Sequence, residues 1–205
     1  MAIVRRFFAS VLVATSLVGA SAWALQGGLA KAIAGVVEGH ATQEVAAAGS
    51  IEVGFSPNGG GEALVLRVID SARLDLKVMA YSFTSSKITA ALLRALKRGV
   101  TVSLVADERH NLGNGASRNA RAAFSALVEA GADVRVVSAF AIHHDKLIFA
   151  DGKHIQSGSF NYSQAAATKN SENVLVNWNN PALVNAYMPH FKRNWNLAKP
   201  FSKGY

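Results

Sequence analysis

The chain is 205 residues long and half hydrophobic, enough to bury one full core, and nothing in its composition asks for a second. It contains no cysteine, which excludes disulfides and thiolate metal sites. The 21 Lys and Arg against 13 Asp and Glu give a formal charge of +8, which favours polyanionic partners, either nucleic acid or an anionic membrane surface.

Residues 1–24 read as a secretory signal peptide. Arg5 and Arg6 supply the charged start, FFASVLVATSLVGA the apolar stretch, and Ala20-Ser21-Ala22 or Ala22-Trp23-Ala24 a small-residue cleavage site. The competing expectation is an uncleaved membrane-anchoring helix, because the run from Phe7 to Ala24 approaches spanning length. The small residues at its end favour cleavage, and with it a periplasmic or secreted protein without a stable transmembrane anchor. Residues 25–49 are rich in Ala and Gly and read as a weakly ordered leader or a marginal helix.

From residue 50 to 205 strands and helices alternate. SIEVGFS (Ser50 to Ser56) reads as a strand that stops at Pro57 and the glycines 59–61. Glu62 to Ala72 follows as a helix with Leu64, Val65, Val68 and Ile69 on one face, then Leu74 to Tyr81 as an alternating strand. Ser86 to Arg98 is an amphipathic helix closed by Gly99, and VTVSLVAD returns as a buried strand ending at Asp107. Glu108 to Ser117 reads as a Gly- and Asn-rich loop, Arg118 to Ala130 as a helix and Asp133 to Ser138 as a strand. This alternation predicts an α/β domain with a mostly parallel mixed β-sheet flanked by helices on both faces.

The stretch from His143 to Glu172 carries the chemistry. LIFA and KHIQSGSF flank Asp151-Gly152, the strongest short-range signal for a two-residue hairpin turn. Counting outward from such a turn pairs Ala150 with Lys153, Ile148 with Ile155, Lys146 with Ser157 and His144 with Ser159. His144, Lys146, Ser159 and Asn161 then share one face, with Leu147 and Phe149 on the other. An imidazole, an ammonium, a hydroxyl and a carboxamide make a poor core and a good site for a tetrahedral oxyanion. The plain alternative is a solvated sheet face whose polar residues do nothing.

The residues also fill a pattern: His144-x-Lys146, four residues, Asp151, six residues, Gly158-Ser159-x-Asn161. This resembles the HxK(x)4D(x)6GSxN signature of the phospholipase D superfamily. The run VMAYSFTSSKITAALLRALKRGVTVSLVAD and the later SENVLV extend the resemblance, over roughly residues 50 to 198, to its small single-motif members, the periplasmic endonucleases of conjugative plasmids. The resemblance implies a phospholipase D/nuclease fold and a metal-independent phosphodiesterase or hydrolase, either a nuclease on DNA or RNA or a phospholipase D on lipid headgroups. It implies His144 as nucleophile, with Lys146, Ser159 and Asn161 on the phosphate oxygens. It places Glu172 as the acid that orients the catalytic imidazole, and it implies a homodimer with a composite site, because one chain carries one motif. Asp151 and Gly158 belong to the motif, and the turn position of Asp151 gives it an architectural job.

After Asn161 a helical turn, Ser163 to Thr168, precedes a strand from Glu172 to Trp178. Asn180 to Leu197 then closes the domain as a helix that Pro189 should perturb, with Tyr187, Phe191 and Trp195 as a core stripe. His190-Phe191-Lys192 repeats the HxK spacing, but Leu197 stands where Asp is required, so it reads as helix surface. His143 and His154 fall opposite the reactive face, Lys146 repels a cation, and no metal or cofactor is expected. Arg109 and His110 are left outside the site as a solvated loop. A non-catalytic polyanion-binding envelope protein is the reading in which the filled motif is inert.

Overall fold

The computed structural model describes residues 42–202. The expected signal peptide and most of the leader lie outside them, and among the described residues no helix is long and apolar enough to cross a membrane. Eight strands form one sheet: β1 (Ser50–Ser56), β2 (Asp75–Ala80), β3 (Thr101–Asp107), β4 (Asp133–Val137), β5 (Lys146–Ala150), β6 (His154–Gly158), β7 (Glu172–Trp178) and β8 (Lys199–Pro200). Their order across the sheet is β1-β7-β6-β5-β2-β3-β4-β8. The helices are α1 (Gly60–Ser71), α2 (Ser86–Lys97), α3 (Glu108–Leu112), α4 (Arg118–Glu129), α5 (Gln164–Thr168) and α6 (Pro181–Leu197).

The domain is α/β with a mixed sheet, but that sheet is not mostly parallel. Only β2–β3 and β3–β4 run parallel, and every other pairing is antiparallel. The reason is local: α2 and α4 are crossover helices and force parallel neighbours. β5 returns to β6 through a tight turn, and β6 returns to β7 through a connection that carries only the short helix α5, so both pairs are antiparallel.

Period-two alternation splits the strands between two cores. Leu76, Val78, Ala80, Leu104, Ile148 and Val176 pack under α1, α2 and α4 with Leu64, Leu92 and Phe124. Met79, Val105, Leu147, Phe149 and Ile155 face the other way and are covered by Val184 and Phe191 of α6. Helices therefore cover both faces. Ser85 caps α2 through its side chain, which accepts from the Ile88 N–H, and Gly99 at φ 88° lets the chain leave it. Helix α6 runs unbroken through Pro189, and its Phe191 and Trp195 rings stack 5.5 Å apart on the second core.

The hairpin differs from the expected register by one residue. Asp151 and Gly152 both have positive φ (55° and 64°), and the Lys153 N–H donates to the Ala150 carbonyl, as the turn chemistry requires. Pairing resumes one residue later, with Ala150 opposite His154, Phe149 opposite Ile155 and Ile148 opposite Gln156. Lys153 is the extra residue. The Asp151 carboxylate faces the other neighbour of β5, accepting from the backbone N–H groups of Arg73, Leu74 and Asp75 at 2.7–3.1 Å. Burial raises its pKa, but these three donors outweigh that and hold the carboxyl below its ordinary value.

Candidate active site

With the register shifted, the motif residues do not line one sheet face. They meet instead at the ends of three strands. Strand β6 stops at Gly158, so Ser159 and Asn161 lie on the loop beyond it, next to the start of β5 and the start of β7. Gly158 makes that turn possible. Its φ is 138°, and a Cβ there would sit 2.3 Å from the Asn173 carbonyl oxygen. His144, Lys146, Ser159, Asn161, Glu172 and Asn173 surround one open cavity of about 500 Å³.

Lys146 is buried, and its ammonium donates to the His144 carbonyl at 2.7 Å and lies 5.2 Å from the centre of the Tyr81 ring. Burial pushes its pKa down, against the opposing pull of Asp145 and Glu172. The His144 ring is exposed and packs against Tyr81, centroids 4.8 Å apart. Tyr81 in turn packs against His110 at 4.1 Å.

The Ser159 hydroxyl donates to Glu172 Oε2 at 2.6 Å and accepts from the Asn173 backbone N–H and side-chain amide. The other Glu172 oxygen accepts from Asn170 Nδ2 at 2.9 Å. Among the described residues the Glu172 carboxylate therefore bonds Ser159 and Asn170, and no imidazole of its own chain. Asn161 lines the cavity wall; its Oδ1 is buried without a hydrogen-bond partner among the described residues and can only accept, so any contact with a phosphate oxygen falls to its Nδ2.

The residue between His144 and Lys146 points the other way. Asp145 reaches His190 Nε2 at 3.1 Å and His143 Nδ1 at 3.3 Å, and Arg193 bonds the far nitrogen of His190. His190 is thus no free helix surface but the tether between α6 and the start of β5. Burial raises the Asp145 pKa, yet the His190 hydrogen bond and the charges of His190, His143 and Lys146 hold it below the ordinary range. Burial pushes the His143 imidazole down in spite of Asp145 and Asp107. His154 also stays structural, accepting from the Asn179 N–H and packing on Trp178.

The sequence did not point to Asp107, Asn111 or Tyr81. The Asp107 carboxylate accepts from the His110 N–H at 2.7 Å and the His143 N–H at 2.8 Å, so it both caps α3 and pins the approach to β5. Asn111 is buried, donating to the Tyr81 carbonyl and accepting from the Phe83 N–H. The stretch expected to be a loop contains α3, and that turn brings His110 onto Tyr81. An Asp directly before Glu108-Arg109-His110 was the one available signal, as an N-cap pattern. Among the described residues, no three His, Asp or Glu side chains gather as a metal site.

Comparison with known proteins agrees with this geometry. The family model described as "Cardiolipin synthase, PLD-like domain" matches residues 65–195. The chain is 37% identical over 122 residues to a phospholipase D of Rickettsia bellii, covering 60% of this chain and 58% of that protein. It is 33% identical over 131 residues to a mitochondrial cardiolipin hydrolase of Danio rerio, covering 63% and 55%. The chain thus spans little more than half the length of these curated relatives. Among solved structures, the phospholipase D family member Nuc of Salmonella typhimurium superposes with a TM-score of 0.72 at 43% identity, over 75% of this chain and 99% of that one. NucT of Helicobacter pylori, at 21% identity and a TM-score of 0.64, shares the fold. On sequence, fold and the filled motif together, the chain belongs to the phospholipase D-like family.

Proposed function

We propose that this chain is a metal-independent phosphodiesterase that works through a phosphohistidine, with nucleic acid as its substrate. The observation that carries the reading is the convergence of His144, Lys146 and Asn161, with the Ser159–Glu172 pair, on one open cavity. His144 attacks phosphorus, the P–N bond forms, and the bond to the leaving oxygen breaks as a second imidazole protonates that oxygen. Water, deprotonated by the same second group, then cleaves the P–N bond and restores His144. Lys146 and Asn161 face the non-bridging oxygens, where fixed charge and amide donors stabilise the transition state. The Ser159 hydroxyl is committed to Glu172, so its part is to set that carboxylate. The charge of +8 supports a polynucleotide over a small neutral substrate.

The second imidazole comes from a second copy of the chain. One face of the edge strand β1 exposes Ile51, Val53 and Phe55, each more than half accessible. Phe55 pairs with Asn173 and Ser56 with Glu172, so this apolar strip borders the cavity. Such a strip, beside half a site, suits an isologous two-fold contact. In the dimer Glu172 orients the partner's His144, since within the chain it is held by Ser159 and Asn170.

The test is turnover of bis(p-nitrophenyl) phosphate, single- and double-stranded DNA, RNA and phosphatidylcholine by purified protein in excess EDTA. Nucleic acid and the chromogenic diester should be cleaved at the metal-replete rate. Loss restored by a divalent ion would overturn the metal-free mechanism, and turnover of lipid only would move the substrate to phospholipid. Mixing His144→Ala subunits with wild type under exchange should reduce activity as the square of the wild-type fraction. A linear fall would overturn the composite site.

A further inference from the structure

Resting on the phosphodiesterase reading, we infer that the cleft between α3 and α4 is a second phosphate-binding subsite, in which Arg118 and Arg121 hold a neighbouring phosphate of a polynucleotide whose scissile phosphate lies at His144. The cleft has a volume of about 410 Å³, and Asn111, Gly113, Ser117, Arg118, Arg121 and Ser125 line it without a carboxylate. Arg118, Arg121 and Ser125 stand at i, i+3 and i+7 of α4, so they form one stripe, while Ala120, Phe124 and Leu127 turn to the core.

These two guanidinium groups differ from the other arginines. Arg67 bonds Glu52, Arg94 and Arg98 bond Asp70, and Arg135 bonds Asp133. Arg73 and Arg109 donate to backbone carbonyls, and Arg193 meets His190. Among the described residues only Arg118 and Arg121 have no such partner. Two like charges one helical turn apart repel, so leaving both unpaired destabilises α4 slightly. An anion between them removes that repulsion and gains charge-assisted hydrogen bonds.

The cleft is also joined to the catalytic cavity by a rigid link. Asn111 forms part of its wall and fixes the Tyr81 and Phe83 backbone. His110, one residue earlier, packs on Tyr81, and Tyr81 packs on His144. In this inference a strand leaving His144 crosses the His110–Tyr81 pair toward the α3–α4 cleft that Asn111, Arg118 and Arg121 line. A substrate with a single phosphodiester does not reach them.

The experiment compares wild type with Arg118→Gln/Arg121→Gln on a short single-stranded oligonucleotide, on cardiolipin vesicles and on bis(p-nitrophenyl) phosphate. Expected for the oligonucleotide is a KM raised about tenfold at unchanged kcat. The dependence of log affinity on log salt should be shallower by about 0.7, for one lost phosphate contact to a single strand. Turnover of the chromogenic diester should match wild type. Arg118→Lys/Arg121→Lys should recover most of the salt slope, because charge is retained. Unchanged oligonucleotide KM and slope would overturn the inference, as would an equal loss on both substrates. So would an effect seen only with cardiolipin, whose two phosphates also fit two subsites. Absence of chromogenic turnover in the wild type itself would instead strike the phosphodiesterase reading.

Discussion

Replacing Asp151 by Asn separates architecture from chemistry inside the motif. The carboxylate accepts three backbone N–H groups from the α1–β2 connection, and the Asp151 N–H returns a bond to the Asp75 carbonyl. Hydrogen bonds to a charged acceptor contribute about 1.5–3 kcal/mol each when buried. Here the donors are mostly exposed and Asn keeps one acceptor oxygen, so we expect a loss of about 2–3 kcal/mol. Urea denaturation followed by circular dichroism should show a lower midpoint at unchanged slope, and Tm should fall by roughly 4–12 °C. The folded-state pKa is depressed, so this stabilisation is fully present above the ordinary carboxylate pKa of about 3.9 and is lost as pH falls through the lower folded value. The stability gap between wild type and D151N should therefore close below about pH 4. Asp151 lies at the far end of β5 from Lys146, roughly 17 Å away at 3.3 Å per residue. Well below its Tm, D151N should retain kcat within about threefold. Wild-type stability together with a large loss of turnover would refute the architectural role.

The side chains proposed to be catalytic should behave in the opposite way. His144→Ala should lose at least about a thousandfold in turnover while changing stability by less than about 0.5 kcal/mol, since the ring is exposed; activity near wild type in the folded variant would remove the nucleophile. Lys146 should add to kcat/KM a second alkaline limb, beyond that of the proton-donating imidazole and below the ordinary lysine pKa of about 10.4, because burial depresses it, and Lys146→Arg should remove this second limb only. Gly158→Ala should cost about 2–4 kcal/mol and displace the Ser159–Glu172 pair, because the added Cβ meets the Asn173 carbonyl and the φ is unfavourable for an L residue; a wild-type melting curve would contradict this.

Most of the element order was legible because core-facing residues recur with clean periods: Leu76, Val78 and Ala80 on a strand, Ile88, Leu92 and Ala95 on a helix. Sheet direction was not legible, since it depends on how each connection returns rather than on the strands themselves. The hairpin register was misread because an Asp-Gly turn gives the backbone conformation of its two central residues. It does not say where pairing resumes, and here Lys153 is left over as an extra residue before His154 pairs with Ala150. Spacing picked out residues that line one cavity, but not their neighbours. Tyr81, Asp107, Asn111 and His190 act through contacts with residues at least 25 positions away, for which one sequence carries no pattern.

Why the site survives a one-residue error in register follows from where it sits. On a continuous sheet face, a slip of one would send every second side chain into the core. At strand ends the constraint is weaker: β6 has finished at Gly158, and its positive φ turns Ser159 back toward Glu172 whatever face the preceding residue occupied. The HxK spacing has a different logic. His144 and Lys146 stand two apart and reach the cavity together, while Asp145 between them points down to His143 and His190. Strand alternation thus divides three consecutive residues between chemistry above and anchorage to α6 below. The anchorage is what lets an exposed imidazole hold its position: the Tyr81 N–H fixes the Asp145 carbonyl, and Asp107 fixes the His143 N–H. The backbone on both sides of His144 is therefore tied down. In the mechanism we propose, the His144 ring is therefore positioned by fixed backbone and by the Tyr81 ring rather than by its own burial.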